Sequence, residues 1–134
     1  MTSLLVTRDR FLPLLALVLL AAGLLAACDT EAPPMPTRLE AASLDGAVRL
    51  TWGPGGVSDL REGYRLYRDT APFEAVELTD ERRVGGGLKR TTYVDSSVTN
   101  GTTYYYRVVS VGGGPDSSPS GLASATPLPA PSRP

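Results

Sequence analysis

The sequence offers few side chains able to do chemistry. Cys28 is its one thiol, and it contains no histidine. Without histidine, zinc sites, Ser–His–Asp triads and imidazole proton shuttles lose their usual ligand or base. With one cysteine, no intramolecular disulfide can form. Asp59 and Glu62 form a carboxylate pair of the kind that serves glycoside hydrolysis as acid and base. They sit in a short polar stretch with no cleft implied around it, and they read better as a solvated loop pair. Asp80-Glu81-Arg82-Arg83 mixes both signs and reads as solvated surface. Gly85-Gly86-Gly87 lacks the Gly-Lys-Ser/Thr ending of a phosphate loop and reads as flexible chain. No catalytic, metal or cofactor site is expected. Cys28 is the exception, a nucleophile able to form a thioether.

The surroundings of Cys28 give that thiol a use. Arg8 and Arg10 precede an uncharged apolar run from Phe11 to Leu25. A spanning helix needs about 20 apolar residues, so this shorter run has the layout of a cleavable signal. Leu25-Ala26-Ala27-Cys28 resembles the lipobox of bacterial lipoproteins: an aliphatic residue, two small residues, then cysteine. The resemblance implies a diacylglycerol on the Cys28 sulfur, cleavage before it, and acylation of the new amino group. Two or three acyl chains anchor stably where one binds only marginally. Residues 1–27 are thus expected to be a lipoprotein signal peptide. Residues 28–35 would be the lipidated cysteine and a proline-rich tether. Asp29 resembles the enterobacterial inner-membrane retention signal, and it reads equally well as a polar linker residue. The expected location is a bacterial membrane or envelope, lipid-anchored and extracytoplasmic.

The whole chain has 134 residues, 13 basic and 14 acidic. Loss of residues 1–27 removes Arg8, Arg10 and Asp9 and leaves 11 basic and 13 acidic residues. That balance gives no basic stripe for nucleic acid. Fourteen glycines and twelve prolines favour turns over long helices.

From Pro36 the pattern becomes short alternating runs broken by Gly, Pro, Asp and Asn. Leu39 and Ala41 suggest a first strand, ending at Asp45-Gly46. Val48, Leu50 and Trp52 alternate with Arg49 and Thr51 in a second, and Tyr64 and Leu66 with Arg65 and Tyr67 in a third. Phe73 to Leu78 reads as a weak fourth strand, and Thr79 to Arg90 mainly as loop. Thr91 to Val94, Thr102 to Val111 and a segment within Ser117 to Thr126 complete seven. Seven short strands in about 90 residues indicate an all-β, immunoglobulin-like sandwich.

Several segments resemble a fibronectin type III domain over roughly Pro33 to Pro127, with residues 36–127 as the domain proper. Pro36-Thr37-Arg38-Leu39 is similar to the family's entry to its first strand, and Trp52 to its core tryptophan. Gly63-Tyr64-Arg65-Leu66-Tyr67-Arg68 resembles the third strand. Tyr93-Val94-Asp95 and Val98 to Val108 resemble the turn into the sixth. Val98 and Asn100 depart mildly from the animal pattern, and no Arg-Gly-Asp tripeptide is present. The resemblance places Tyr104 at the tyrosine corner, its hydroxyl on nearby backbone. Trp52, Tyr64, Leu66, Tyr104, Tyr106 and Val108 are expected to form the core.

Alternation turns Tyr67, Tyr105, Arg107 and Val109 outward. Exposed Tyr67 and Tyr105 could stack on sugars or a protein partner, or pair across strands on an ordinary sheet face. The turn from Gly112, Gly113 and Gly114 to Asp116 is the other candidate surface. Residues 128–134 read as a proline-rich, disordered tail. The expected role is a non-catalytic interaction or spacer module, its partner an unidentified envelope protein or glycan. The alternative is a carbohydrate-binding module using the two tyrosines.

Overall fold

The computed structural model describes residues 31–55 and 63–132. Among them are seven strands: β1 (Thr37–Leu44), β2 (Ala47–Gly53), β3 (Gly63–Asp69), β4 (Arg83–Leu88), β5 (Thr92–Asp95), β6 (Tyr104–Val111) and β7 (Ala123–Ala125). They form two antiparallel sheets of order β1-β2-β5 and β4-β3-β6-β7.

The period-two pattern decides which faces meet. In β2, Val48, Leu50 and Trp52 are buried while Arg49 and Thr51 are exposed. In β6, Tyr104, Tyr106 and Val108 point the same way. These residues join Tyr64, Leu66 and Ala125 in one core between the sheets, flanked by Leu39, Val84, Tyr93 and Val98. Trp52 meets Tyr64 edge to face, with ring centroids 5.4 Å apart. Tyr104 accepts a 3.0 Å hydrogen bond from the Thr99 backbone amide, which ties the β5–β6 turn to the core.

Two stretches differ from the alternation-based expectation. Phe73 to Leu78 is not a strand. Ala75–Glu77 forms a 3-10 turn, closed by the Glu74 amide donating to Glu77 Oε2 at 2.6 Å. Nor is Thr79 to Arg90 mainly loop. Asp80–Arg82 forms a second 3-10 turn, and β4 follows, carrying Gly85, Gly86 and Gly87. Glycine disfavours strands because it offers no side chain to pack. Here pairing with β3 supplies the order, in an irregular register (Tyr64↔Leu88, Leu66↔Gly85, Tyr67↔Arg83). Gly63 permits the approach. Its φ is +87°, and a Cβ there would collide with the Leu88 carbonyl.

The tail also stays on the body further than expected. Pro127 is buried, its carbonyl accepts the Gly101 amide at 2.8 Å, and the Ala130 backbone bonds the Asp45 carboxylate.

Candidate functional site

Of the two tyrosines expected to form a stacking surface, one is buried and the other partly so. Tyr67 is 5% exposed. Tyr105 is half-buried and packs against the same cluster. Both do point away from the main core, as alternation requires, but a second apolar cluster covers that face. It consists of Tyr67, Phe73, Val109 and Val111, with Leu78 and Tyr105 at its margin. The cover comes from the β3–β4 connection, which folds back over the sheet and seats Phe73 on it. Val109, expected outside, is buried for the same reason.

Phe73 is held by cations. The Arg82 and Arg107 guanidiniums lie 5.6 and 5.9 Å from its ring centroid. Arg107 donates to the carbonyls of Phe73 and Ser120, each at 2.9 Å. Arg82 bonds the Asp69 carboxylate and, at 2.8 Å, the Glu77 carbonyl. The Arg82 hydrogen bond holds the Asp69 carboxyl below its usual range, and the same contact raises Arg82. Asp80 and Arg83, expected in solvent, form an exposed ion pair at 3.2 Å. The connection is therefore a fixed lid over a sheet face. On it stands Val76, 93% exposed.

The other candidate surface is the β6–β7 turn. Gly112 is buried and lies against Pro33. Gly113, Gly114 and Asp116 are exposed, and Asp116 bonds Arg65 at 2.8 Å. A shallow depression of about 200 Å³ lies on the other sheet, lined by Arg38, Glu40, Thr51, Trp52 and Gly53. Ligand pockets are commonly about 300–1,000 Å³ and enclosed.

Among the described residues, the most buried charge is Asp95, 3% exposed. It receives Arg68 at 2.8 Å, the Tyr106 hydroxyl at 3.1 Å and the Ser97 amide at 3.0 Å. Arg68 also lies 5.2 Å from the Tyr104 ring centroid. Burial, and then the Asp95 charge, raise the Tyr106 hydroxyl far above an ordinary tyrosine. Asp95 comes from one sheet and Arg68 and Tyr106 from the other, so the network pins the sheets together. Composition gave no sign of it. The signal lay in register, because Asp95 ends β5 opposite Val48 and Arg68 pairs with Tyr106.

Trp52, Tyr64, Leu66, Tyr104, Tyr106 and Val108 are at most 8% exposed and share the main core. The Trp52 indole N–H and the Ser110 hydroxyl have no hydrogen-bond partner in the structure. Among the described residues, no group of three or more Cys, Asp or Glu is placed to hold a metal. No helix among them is long and apolar enough to cross a membrane. Leu25, Ala26, Ala27, Cys28 and Asp29, and the carboxylates Asp59 and Glu62, lie outside the described residues.

A three-stranded and a four-stranded sheet packed on a core that includes Trp52, closed by a tyrosine bonded to a turn, define a fibronectin type III-like domain. Solved structures agree. An Fn3-like protein from Clostridium thermocellum matches 77% of this chain and all of that one, at 27% identity and a TM-score of 0.57. The fibronectin type III domain of human fibronectin type III domain containing protein 3 matches 78% of this chain at 19% identity, with a TM-score of 0.58, which speaks to the fold alone. Among curated proteins, an amylopullulanase of Thermoanaerobacterium saccharolyticum is 32% identical over 83 residues, 62% of this chain. That of Thermoanaerobacter thermohydrosulfuricus is 29% identical over 102 residues, 74% of this chain. The chain spans only 6% of the length of each of these two enzymes. No family model matches it.

Proposed function

We propose that this chain is a lipid-anchored envelope protein whose fibronectin type III-like domain binds or spaces without catalysing. The anchor reading rests on Leu25-Ala26-Ala27-Cys28 at the end of an apolar run. Cysteine is the nucleophile that thioether formation needs, and Ala26 and Ala27 leave the backbone open to a membrane-embedded protease. The module reading rests on the fold. The similarity to a small segment of far longer enzymes supports an accessory rather than a catalytic part.

The experiment is fatty-acid labelling of cells making the full chain, followed by membrane fractionation. Label should enter the wild-type chain and be lost in Cys28→Ser, with the protein released from the membrane. Undiminished labelling of Cys28→Ser would refute the anchor.

The similarity to amylopullulanases favours a second reading, a module working beside glycan-processing domains. Fibronectin type III-like domains occur in multidomain glycoside hydrolases such as these. A glycan surface would not be the Tyr67 face as it stands, since the β3–β4 connection covers it. Retardation of the chain in gels containing soluble α-glucan would favour this reading, and unretarded migration would count against it.

A further inference from the structure

The two ends of the sandwich are chemically distinct, and the chain enters at one of them. Strand register defines the ends. Thr37 pairs with Gly53 and Gly63 with Val111, so the starts of β1 and β3 and the ends of β2 and β6 share one end. Leu44 pairs with Ala47, Asp69 with Tyr105 and Tyr104 with Ala125 at the opposite end. The entering segment is fastened to the first end before β1 begins. Pro33 lies against Gly112, and Pro36 is fully buried. Gly55, at φ +78°, sits so close to the Met35 carbonyl that a Cβ there would collide with it. At the opposite end the exit is fastened too. Pro127 accepts the Gly101 amide, and Asn100 joins that turn to Asp45 at 2.9 Å and to the Gly46 amide at 2.8 Å.

We infer that, on a membrane, the domain stands with its β6–β7 turn toward the bilayer and its β1–β2 turn, β5–β6 turn and chain exit away from it. This rests on the lipid anchor at Cys28 proposed above. The geometry then leaves little choice of end. Five residue steps separate Cys28 from Pro33, and fully extended chain covers at most roughly 18 Å in that distance. The seated proline therefore keeps the β6–β7 turn within that reach of the lipid. β6, of 8 residues, spans about 27 Å and carries the chain to the other end. Gly113, Gly114 and Asp116 consequently face headgroups, where a soluble protein partner has little room. The β3–β4 connection leaves β3 at the far end, after Asp69, and the Val76 it carries is open to partners.

The test uses the full chain made in a bacterium and purified from its membranes. A lipidated Cys28 has no free thiol, so a single introduced cysteine takes a nitroxide label alone. Gly114→Cys labels the near end and Ser96→Cys the far end; both native residues are exposed. The labelled proteins are reconstituted in vesicles containing a nickel-chelating lipid, and spin relaxation by Ni²⁺ at the headgroups is measured. Relaxation at position 114 should exceed that at position 96 by roughly fivefold or more, given the span of β6. Equal relaxation, or a stronger effect at position 96, overturns the orientation while leaving the anchor intact. A second free thiol, reporting an unmodified Cys28, overturns the anchor and the orientation together.

Discussion

Asp95 shows how much one buried charge can ask of its neighbours. It is 3% exposed, while Arg68 keeps 22% of its side-chain surface in water. The two halves of the pair should therefore respond unequally. Arg68→Met strands a carboxylate in the interior, with only the Tyr106 hydroxyl and the Ser97 amide left to it. A loss of about 3 kcal/mol is expected from urea unfolding. Asp95→Asn leaves a guanidinium that still reaches solvent and rests on Tyr104, and should cost less. Equal losses would mean that the pair is not buried as described. Tyr106 carries the same logic into pH. Its pKa is raised, so the folded state holds the phenolic proton while unfolded tyrosine gives it up near the ordinary value of 10.0. Stability is fully present below pH 10 and falls as pH rises beyond it. The alkaline limb of a melting-temperature profile should be shallower for Tyr106→Phe. Asp69 works in the opposite direction. Its pKa is lowered by Arg82, so its contribution is present above about pH 4 and lost as acid titrates it below that. Asp69→Asn should flatten the acid limb.

At the scale of the element, the β3–β4 connection is the part that sequence patterning misjudged. Phe73→Ala removes the residue that seats it. A cost of about 3–4 kcal/mol is expected in thermal or urea unfolding, with faster proteolysis between residues 70 and 82. Val76→Ser, on the same connection, should change stability by less than about 0.5 kcal/mol, because Val76 touches almost nothing. The contrast separates a fixed lid from a loose loop, which would respond to neither substitution. Alternation in β2, β3 and β6 was legible because one face of each strand packs in a core and polar residues interrupt the other. Trp52 and Tyr104 were legible for the same reason. Alternation says which side of a sheet a residue faces, and it is silent on what arrives from elsewhere to cover that side. Hence Tyr67 and Val109 were expected in solvent and are buried. β4 was hidden differently. Gly85, Gly86 and Gly87 carry no side-chain pattern, and their strand exists through backbone pairing to β3. The Asp95 pin was invisible because its members lie on three strands and meet only once the register is set.

At the scale of the whole molecule, the described residues form a sandwich fastened at both ends, with the chain entering and leaving on opposite sides. That arrangement suits the proposed module, whose entry would face the lipid anchor. Without an intramolecular disulfide, its stability rests on the main core between the sheets, which includes Trp52, so Trp52→Ala should cost about 3–5 kcal/mol. Unchanged melting of that variant would contradict the packing described. The function proposed here turns on a single atom, the Cys28 sulfur. The most direct measurement is the intact mass of the full-length gene product purified from bacterial membranes, with fragmentation to locate any adduct. The proposal predicts a chain beginning at Cys28, with its mass raised by a diacylglyceryl group on that residue. A chain that retains residues 1–27 and carries an unmodified Cys28 would contradict it.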